Sequence, residues 1–230
     1  MVSIIPRLEM PKPVPMPERF SKEKLVSLKD MGFMIDPQYK DYPGGLSDCL
    51  ARKSVAEMLI KAGKNLPAGL HFKIFDAYRP VTVQQALWDK YKREVLLKAA
   101  EAGEELSVEE ADRRTSEFVS KPSYDKSRPS VHNTGGAVDL TLVRDCFDGT
   151  FVELDMGTAF DDFTEKAHTA FFEKKCNGIE DIIVHENRRI LYQVMTEAGF
   201  TNLPSEWWHY DYGDAFWAYY KDAQPIYDGV

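Results

Sequence analysis

The chain has 230 residues, 43% hydrophobic, 29% charged and 12% aromatic, a composition that excludes disordered, collagen-like and disulfide-scaffold classes and suffices for one or two domains with a sizeable core. Lys plus Arg number 29 against 37 Asp plus Glu, a formal net charge of −8, so a polyanion meets net repulsion and nucleic acid is not an expected partner.

Prolines at positions 6, 11, 13, 15 and 17 forbid regular helix and predict an extended arm over residues 1–20, lying along the body or reaching a partner. No basic segment followed by an apolar run opens the chain, and no stretch approaches the 18 apolar residues of a spanning helix, so neither export nor a membrane is expected. From Ser47 to Ala62 the apolar positions Ala51, Val55, Met58, Leu59 and Ala62 recur at helical spacing. Leu70 to Phe75 reads as a strand. Pro80 suits the first turn of a helix through Val83, Leu87, Tyr91 and Val95 to Gly103, and Ser107 to Glu110 is a capping-box pattern for a third helix reaching Phe118. After a Ser/Pro-rich loop, Gly136 to Val143 reads as a strand with Val138, Leu140 and Leu142 on one face and Ala137, Asp139 and Thr141 on the other. Asn177 to Glu180 looks like a second capping box, opening a helix whose apolar positions are Ile179, Ile182, Ile183, Ile190, Leu191 and Val194, with a stop at Gly199. Trp207 to Tyr210 is the last strand candidate. No repeat or composition break divides residues 21–230, which predicts one α+β domain.

Cys49, Cys146 and Cys176 form no C-x-x-C pair and are expected as reduced, buried thiols in the cytoplasm. The chain lacks G-x-G-x-x-G, G-x-x-x-x-G-K-[ST] and G-x-S-x-G motifs, which removes most support for nucleotide binding and for an elbow-type serine nucleophile. His185-Glu186 begins like H-E-x-x-H, but Arg189 stands where the second histidine belongs, so this pair is read as helix surface. More informative is the run from Ser130 to Asp139, where His132 in a glycine-containing turn precedes Asp139 on the polar strand face. Zinc takes imidazole and carboxylate ligands at about 2.0–2.2 Å, and catalytic sites keep a position for water. Taken alone, such a pair is more often structural or solvated than ligating. Glu206-Trp207-Trp208-His209 adds a carboxylate and an imidazole three residues apart; on a regular strand these face oppositely, so they converge only through a turn or bulge. The bland alternative is an aromatic core strand carrying a surface Glu. His71 is read as a partly buried strand residue and His168 as a candidate lining the surroundings of the site.

Ser130-x-His132-x(6)-Asp139 followed far downstream by Glu206-x-x-His209 resembles the metal-site pattern of the D-alanyl-D-alanine dipeptidases of the VanX type, zinc peptidases related to the D,D-carboxypeptidases and sharing a fold with the Hedgehog signalling domain. Asp76-Ala77-Tyr78-Arg79-Pro80, Met156 to Asp161, Asn187-Arg188-Arg189 and Tyr39 extend the resemblance, in order, from about Tyr39 to Tyr210. It implies a small central antiparallel sheet flanked by helices and one zinc ion per chain. It further implies His132, Asp139 and His209 as ligands, Glu206 as catalytic base, and Arg79 as partner of the scissile carbonyl oxygen. By the same resemblance Tyr39, Ser130 and Asp161 line the substrate pocket, Asp161 holding the ammonium of a dipeptide and Ser130 its carboxylate. Two alternatives stand beside a dipeptidase: a D,D-carboxypeptidase acting on longer peptidoglycan stems, for which Asp161 is unnecessary, and a zinc-binding module without turnover, against which Glu206 and Arg79 weigh. The proline-rich arm and the acidic stretch Glu101 to Asp112 depart from the family pattern, leaving pocket closure and homo-oligomer formation open.

Overall fold

In the computed structural model, which describes residues 4–146 and 148–230, the chain is threaded through one central strand, β5 (Ala137–Asp145), that carries the site. Before it come β1 (Leu25–Ser27), β2 (Met34–Ile35), β3 (Leu50–Arg52), α1 (Lys53–Gly63), β4 (Leu70–Asp76), α2 (Val81–Glu101) and α3 (Val108–Thr115). After it come β6 (Phe151–Glu153), α4 (Ile179–Ala198), β7 (Thr201–Asn202), β8 (His209–Asp211) and α5 (Ala215–Lys221). The main sheet runs β2-β4-β5-β8-β7 with β6 also on β5, while β1 and β3 form a separate pair. The expected α+β architecture is present, with one difference: β2 pairs parallel to β4, and the other pairings are antiparallel. That parallel pair has a consequence for the site. Beyond β2, Asp36 and Gln38 N–H groups continue onto the carbonyls of Ile74 and Phe75, which delivers Tyr39 to the end of β4 where Arg79 follows.

β5 is buried on both faces. Val138, Leu140 and Leu142 are fully buried in one core with Val55, Leu59, Leu191 and Met195 of α1 and α4, as strand alternation predicts. Ala137, Asp139 and Thr141 are also nearly inaccessible, so a carboxylate at 139 sits inside the protein. A second apolar cluster of Tyr39, Val83, Leu87, Trp88, Tyr91 and Val119 lies under α2.

Several expectations are corrected. The helix expected from Ser47 starts at Lys53 because residues 50–52 pair with β1 and the Arg52 guanidinium is held by the carbonyls of Glu23, Thr134 and Asp228. Asn177 does not cap α4: its N–H donates to Asp181 Oδ2 at 2.8 Å, and Gly178 occupies the cap position. Ile179, Ile182 and Ile183 are half or more exposed, while Val184, Asn187, Arg188, Leu191 and Met195 face inward, so the apolar positions of the first turn do not predict the buried face. Ser107 Oγ does accept the Glu110 N–H at the start of α3. Of the cysteines only Cys49 is buried; Cys146 is half-buried and Cys176 exposed, all as free thiols. Residues 4–24 contain no regular element and lie along the body. Ile5 is buried with its N–H on Glu173 Oε1, the Glu9 carbonyl accepts the Tyr220 hydroxyl, and Ser21 N–H donates to the Ile226 carbonyl. Among the described residues no helix is long and apolar enough to cross a membrane.

Candidate metal centre and its pocket

His132, Asp139 and His209 come from three different elements and converge. Asp139 faces inward from β5 and pairs in register with His209 on β8. His132 sits in a single 3₁₀ turn, Val131–Thr134, closed by Gly135 in the left-handed region at φ 74°, which glycine enters without a Cβ penalty. At the next residue, a Cβ on Gly136 would stand 2.4 Å from the Tyr212 carbonyl, so only glycine allows β5 to start this close to the chain leaving β8. His132 Nε2 lies 3.2 Å from His209 Nδ1 and 3.3 Å from Asp139 Oδ2, and His209 Nδ1 lies 2.9 Å from Asp139 Oδ1. All three side chains are buried.

The outward nitrogens decide the tautomers. His132 Nδ1–H donates to the Ala77 carbonyl at 2.8 Å, and His209 Nε2–H donates to Asp211 Oδ1 at 2.7 Å. Each ring therefore turns its second nitrogen toward Asp139, a metal donor once that nitrogen gives up its proton, with its other N–H fixed in the manner of metal-ligating histidines. Two nitrogen lone pairs and a carboxylate converging on one point repel each other unless a cation lies between them, so the donor set fits a metal ion. The electrostatics favour positive charge at this point. Burial alone would raise Asp139, yet His132 and His209 hold it well below the usual carboxylate range. Burial likewise opposes charge on His209, yet Asp211 and Asp139 lift its pKa well above the ordinary imidazole value.

The convergence of Glu206 with His209 is achieved by a turn, as required. Glu206 N–H bonds the Leu203 carbonyl and His209 N–H bonds the Glu206 carbonyl, so the strand starts at His209 rather than Trp207. Glu206 Oε2 then stands 4.0 Å from His209 Nδ1. Its side chain keeps 19% exposure, but burial, together with Asp139 and Asp161, pushes its carboxyl up to about 8 against the opposing pull of His209 and Arg79.

Arg79 lines the same cavity beside Asp139. Its guanidinium is 2.8 Å from Asp76 Oδ2 through Nε and Nη2, 3.5 Å from Asp139 Oδ2, and donates from Nη1 to Gln84 Oε1 at 3.1 Å. Burial works against its charge, but Asp76, Asp139 and Asp161 around it raise its pKa above the usual arginine value. Tyr39 lies under the guanidinium, with Cζ 4.5 Å from the ring centre, and donates its hydroxyl to both oxygens of Asp161 at 3.0 and 2.8 Å. Asp161 has a left-handed backbone, φ 59°, a conformation that aspartate tolerates better than most residues. Burial pushes its carboxyl up to about 6, with Asp139 and Asp76 adding to the rise and Tyr39 and Arg79 opposing it. Ser130 is half-buried at the head of the His132 turn and lines the same cavity as Tyr39, Arg79, Asp161, Glu206 and His209.

Sequence reasoning missed the residues that hold these groups. Gln84 and Asp211 carry no motif of their own, although Asp211 stands two residues after His209 on one strand and so shares its face; Asp76 and Arg188 lie in motifs of the family resemblance, which gave them no role. Arg188 is 1% exposed and donates to the carbonyls of Met156, Lys166 and His168 at 2.8, 2.9 and 2.7 Å, which pins both ends of the loop bearing Asp161. Trp207 Nε1 donates to Thr158 Oγ1 at 2.8 Å, linking that loop to the residue beside Glu206. Two expectations fail: His71 is half exposed, paired with Asp145, and His168 is exposed, away from the cavity. His185, on α4, is mostly covered and lies 3.2 Å from Glu173.

Residues 40–227 match the family described as D-Ala-D-Ala dipeptidase, peptidase M15. The chain is 29% identical over 166 residues to a D-alanyl-D-alanine dipeptidase of Synechocystis sp., covering 68% of this chain and 66% of that protein. It is 35% identical over 160 residues to a D-alanyl-D-alanine dipeptidase of Enterococcus faecium, covering 68% and 69%. The match therefore spans just under two thirds of the Synechocystis relative. Among solved structures, VanYB in complex with D-alanine-D-alanine aligns with a TM-score of 0.45 and 17% identity, over 82% of this chain and 86% of that one. With the family match extending over most of its length, the chain belongs to the D-Ala-D-Ala dipeptidase family of M15 peptidases.

Proposed function

We propose that the protein is a zinc dipeptidase that hydrolyses D-Ala-D-Ala or a closely related dipeptide, with one zinc ion per chain held by His132, Asp139 and His209. The observation that carries this reading is the arrangement of one cavity. Three metal donors line it together with Glu206, Arg79 and the Tyr39–Asp161 pair. When bound, zinc supplies Lewis acidity, lowering the pKa of water and polarising a carbonyl. The remaining roles belong to side chains. Glu206 accepts a proton from the attacking water and returns it to the departing amine; a cation beside His209 lowers its raised pKa and favours the ionised base. Arg79 retains its charge throughout and faces the oxygen on which negative charge develops. Ser130 receives the carboxylate end, and Asp161, oriented by Tyr39, receives the ammonium.

Asp161 also favours the dipeptidase over a D,D-carboxypeptidase. A buried carboxylate is costly without a partner, and a free α-ammonium is a partner that only the first amino acid of a peptide provides. We further propose a cytoplasmic setting, one domain over residues 21–230 with the proline-rich arm wrapped on it, and a small peptide as the partner. The test is turnover by zinc-loaded protein of D-Ala-D-Ala, its L-containing diastereomers and N-acetyl-D-Ala-D-Ala. Cleavage confined to the free D,D-dipeptide is expected. Equal cleavage of the acetylated compound would establish the carboxypeptidase reading instead, and no cleavage of any would leave a binding module.

A further inference from the structure

The metal donor His132 and the cationic Arg79 are fastened to each other through the backbone, and Asn133 makes one of the two bonds. Arg79 lies in the irregular segment between β4 and α2, and its N–H donates to the His132 carbonyl at 3.1 Å. In return Asn133, the residue after His132, donates from Nδ2 to the Arg79 carbonyl at 3.2 Å. A carbonyl accepts only from a donor, which fixes the orientation of the amide. Asn133 is 5% exposed. Among the described residues no other donor reaches that carbonyl, because α2 begins beyond it and the N–H groups of Val83 and Gln84 bond the Pro80 carbonyl instead. From outside, the Asn133 carbonyl accepts the Val230 N–H at 3.1 Å, and the amide packs on Gly229, where a Cβ would stand 2.8 Å from Asn133 Oδ1. Arg52 binds both layers, donating to the Thr134 carbonyl at 2.7 Å and to the Asp228 carbonyl at 3.0 Å.

We infer that Asn133 is a positioning residue that holds Arg79 in register with His132, so that the guanidinium meets the oxygen on which negative charge develops. The inference rests on the dipeptidase reading and on the role given there to Arg79. The bonds that orient the guanidinium within its own segment, to Asp76 three residues before and Gln84 five residues after, travel with that segment and do not set its distance from the metal donors. That distance is set across segments. It depends on the His132 ring bonded to the Ala77 carbonyl, the two bonds of residues 132 and 133 with the Arg79 backbone, and the longer approach of the guanidinium to Asp139 at 3.5 Å. Of these contacts, the Asn133 amide is the one made by a side chain that is neither a metal donor nor a charged group of the cavity, so it can be removed while donors and charges stay. Without it, the bond to the His132 carbonyl alone joins the two backbones there, and the segment can pivot about that bond. A displacement approaching an ångström at reacting atoms is costly. Because the Arg79 contact strengthens as charge develops, the cost falls on kcat more than on KM.

The experiment is a double-mutant cycle on zinc-loaded protein: wild type, Asn133→Ala, Arg79→Lys and the double variant. It reads kcat per bound zinc and KM on D-Ala-D-Ala, with zinc content measured on the same samples. Asn133→Ala is expected to keep its zinc and its KM and to lose kcat on the order of 10-fold, less than the roughly 10²-fold cost of a full ångström. In the Arg79→Lys background the same substitution is expected to change kcat by about 2-fold or less, since residues acting as a unit are not additive. The full loss repeated in the double variant would overturn the inference, because Asn133 would then act independently of Arg79. Loss of zinc in Asn133→Ala would also overturn it, making Asn133 a support of the His132 turn rather than of Arg79, and so would an unchanged kcat. If Asn133→Ala does not fold, Asn133→Asp, which keeps the shape but lacks the donor at neutral pH, carries the same cycle, its added charge being common to both backgrounds. A wild type inactive on D-Ala-D-Ala would overturn the dipeptidase reading and the inference with it, an outcome distinct from these three.

Discussion

The metal-donor set and the Tyr39–Asp161 pair are built differently. At the metal end, two of the three donors lie on paired strands, and each histidine is fixed by a second bond, His132 on the Ala77 carbonyl and His209 on Asp211. At the amine end, Tyr39 and Asp161 lie on loops separated by 122 positions in sequence, joined by a hydroxyl–carboxylate bond and secured from outside by Arg188. The difference teaches a division of work. Sheet-borne groups with a single available geometry suit chemistry, where a displacement of an ångström is costly, whereas a loop-borne pair can be tuned for selection without moving the reacting atoms.

Breaking the metal end should have the largest effect. His132→Ala or His209→Ala removes one of three donors, so near-complete loss of metal and activity is expected, read by metal analysis of the purified variants. Full occupancy in both would remove these residues from the ligand set.

Smaller losses should follow where the donors stay and the surrounding charge changes. Glu206→Gln keeps shape and abolishes the base, so metal retention with turnover lower by roughly 10²- to 10⁴-fold is expected. Arg79→Lys keeps the charge but cannot span Asp76, Asp139 and Gln84 with one ammonium, and a loss on the order of 10²-fold is expected by analogy with removal of oxyanion donors. Steady-state kinetics with metal content measured on the same samples separates both from ligand loss; a normal rate in Glu206→Gln would place the base elsewhere.

The smallest effect sharpens the amine end and reads in stability as well as rate. The Asp161 carboxyl is raised to about 6 from about 3.9 in an unfolded chain. A raised carboxyl binds its proton more tightly when folded, so its contribution to stability is complete below about pH 3.9 and is lost as pH rises through about 6. Asp161→Asn keeps the shape without the ionisation. Metal-free Asp161→Asn is therefore expected to gain in Tm over wild type at pH 8 and to show little gain at pH 4, by thermal melts at the two pH values. In the zinc-loaded protein the same change should reduce kcat/KM on the free dipeptide and narrow its advantage over the acetylated one. An equal Tm difference at both pH values would show that Asp161 is not a buried, ionising group.

The features legible from residue order are mostly local. Strand alternation from Val138 to Leu142 predicts which face of β5 enters the core, because a period of two needs no partner to be recognised. The Ser107 cap and the apolar spacing along α2 follow from the same local rules. Residue types were legible too: His132, Asp139, Glu206 and His209 stand out because imidazole and carboxylate groups suit metal chemistry, and the family resemblance ordered them. That they meet depends on how distant segments pack. The turn at Glu206, the parallel β2–β4 pair that brings Tyr39 to Arg79, and the neighbours Asp76, Gln84, Asp211 and Arg188 depend on pairings between distant segments. The same holds where local patterns misled. Residues 50–52 are strand rather than helix because β1 is available to pair with them, and Ile179, Ile182 and Ile183 stay exposed because the inward face of α4 is chosen by the loop carbonyls that Arg188 binds and the core that Leu191 and Met195 fill. Hydrogen bonds and burial are contacts between residues far apart in the chain, and a periodic pattern in one segment does not state which partner the rest of the fold will bring to it.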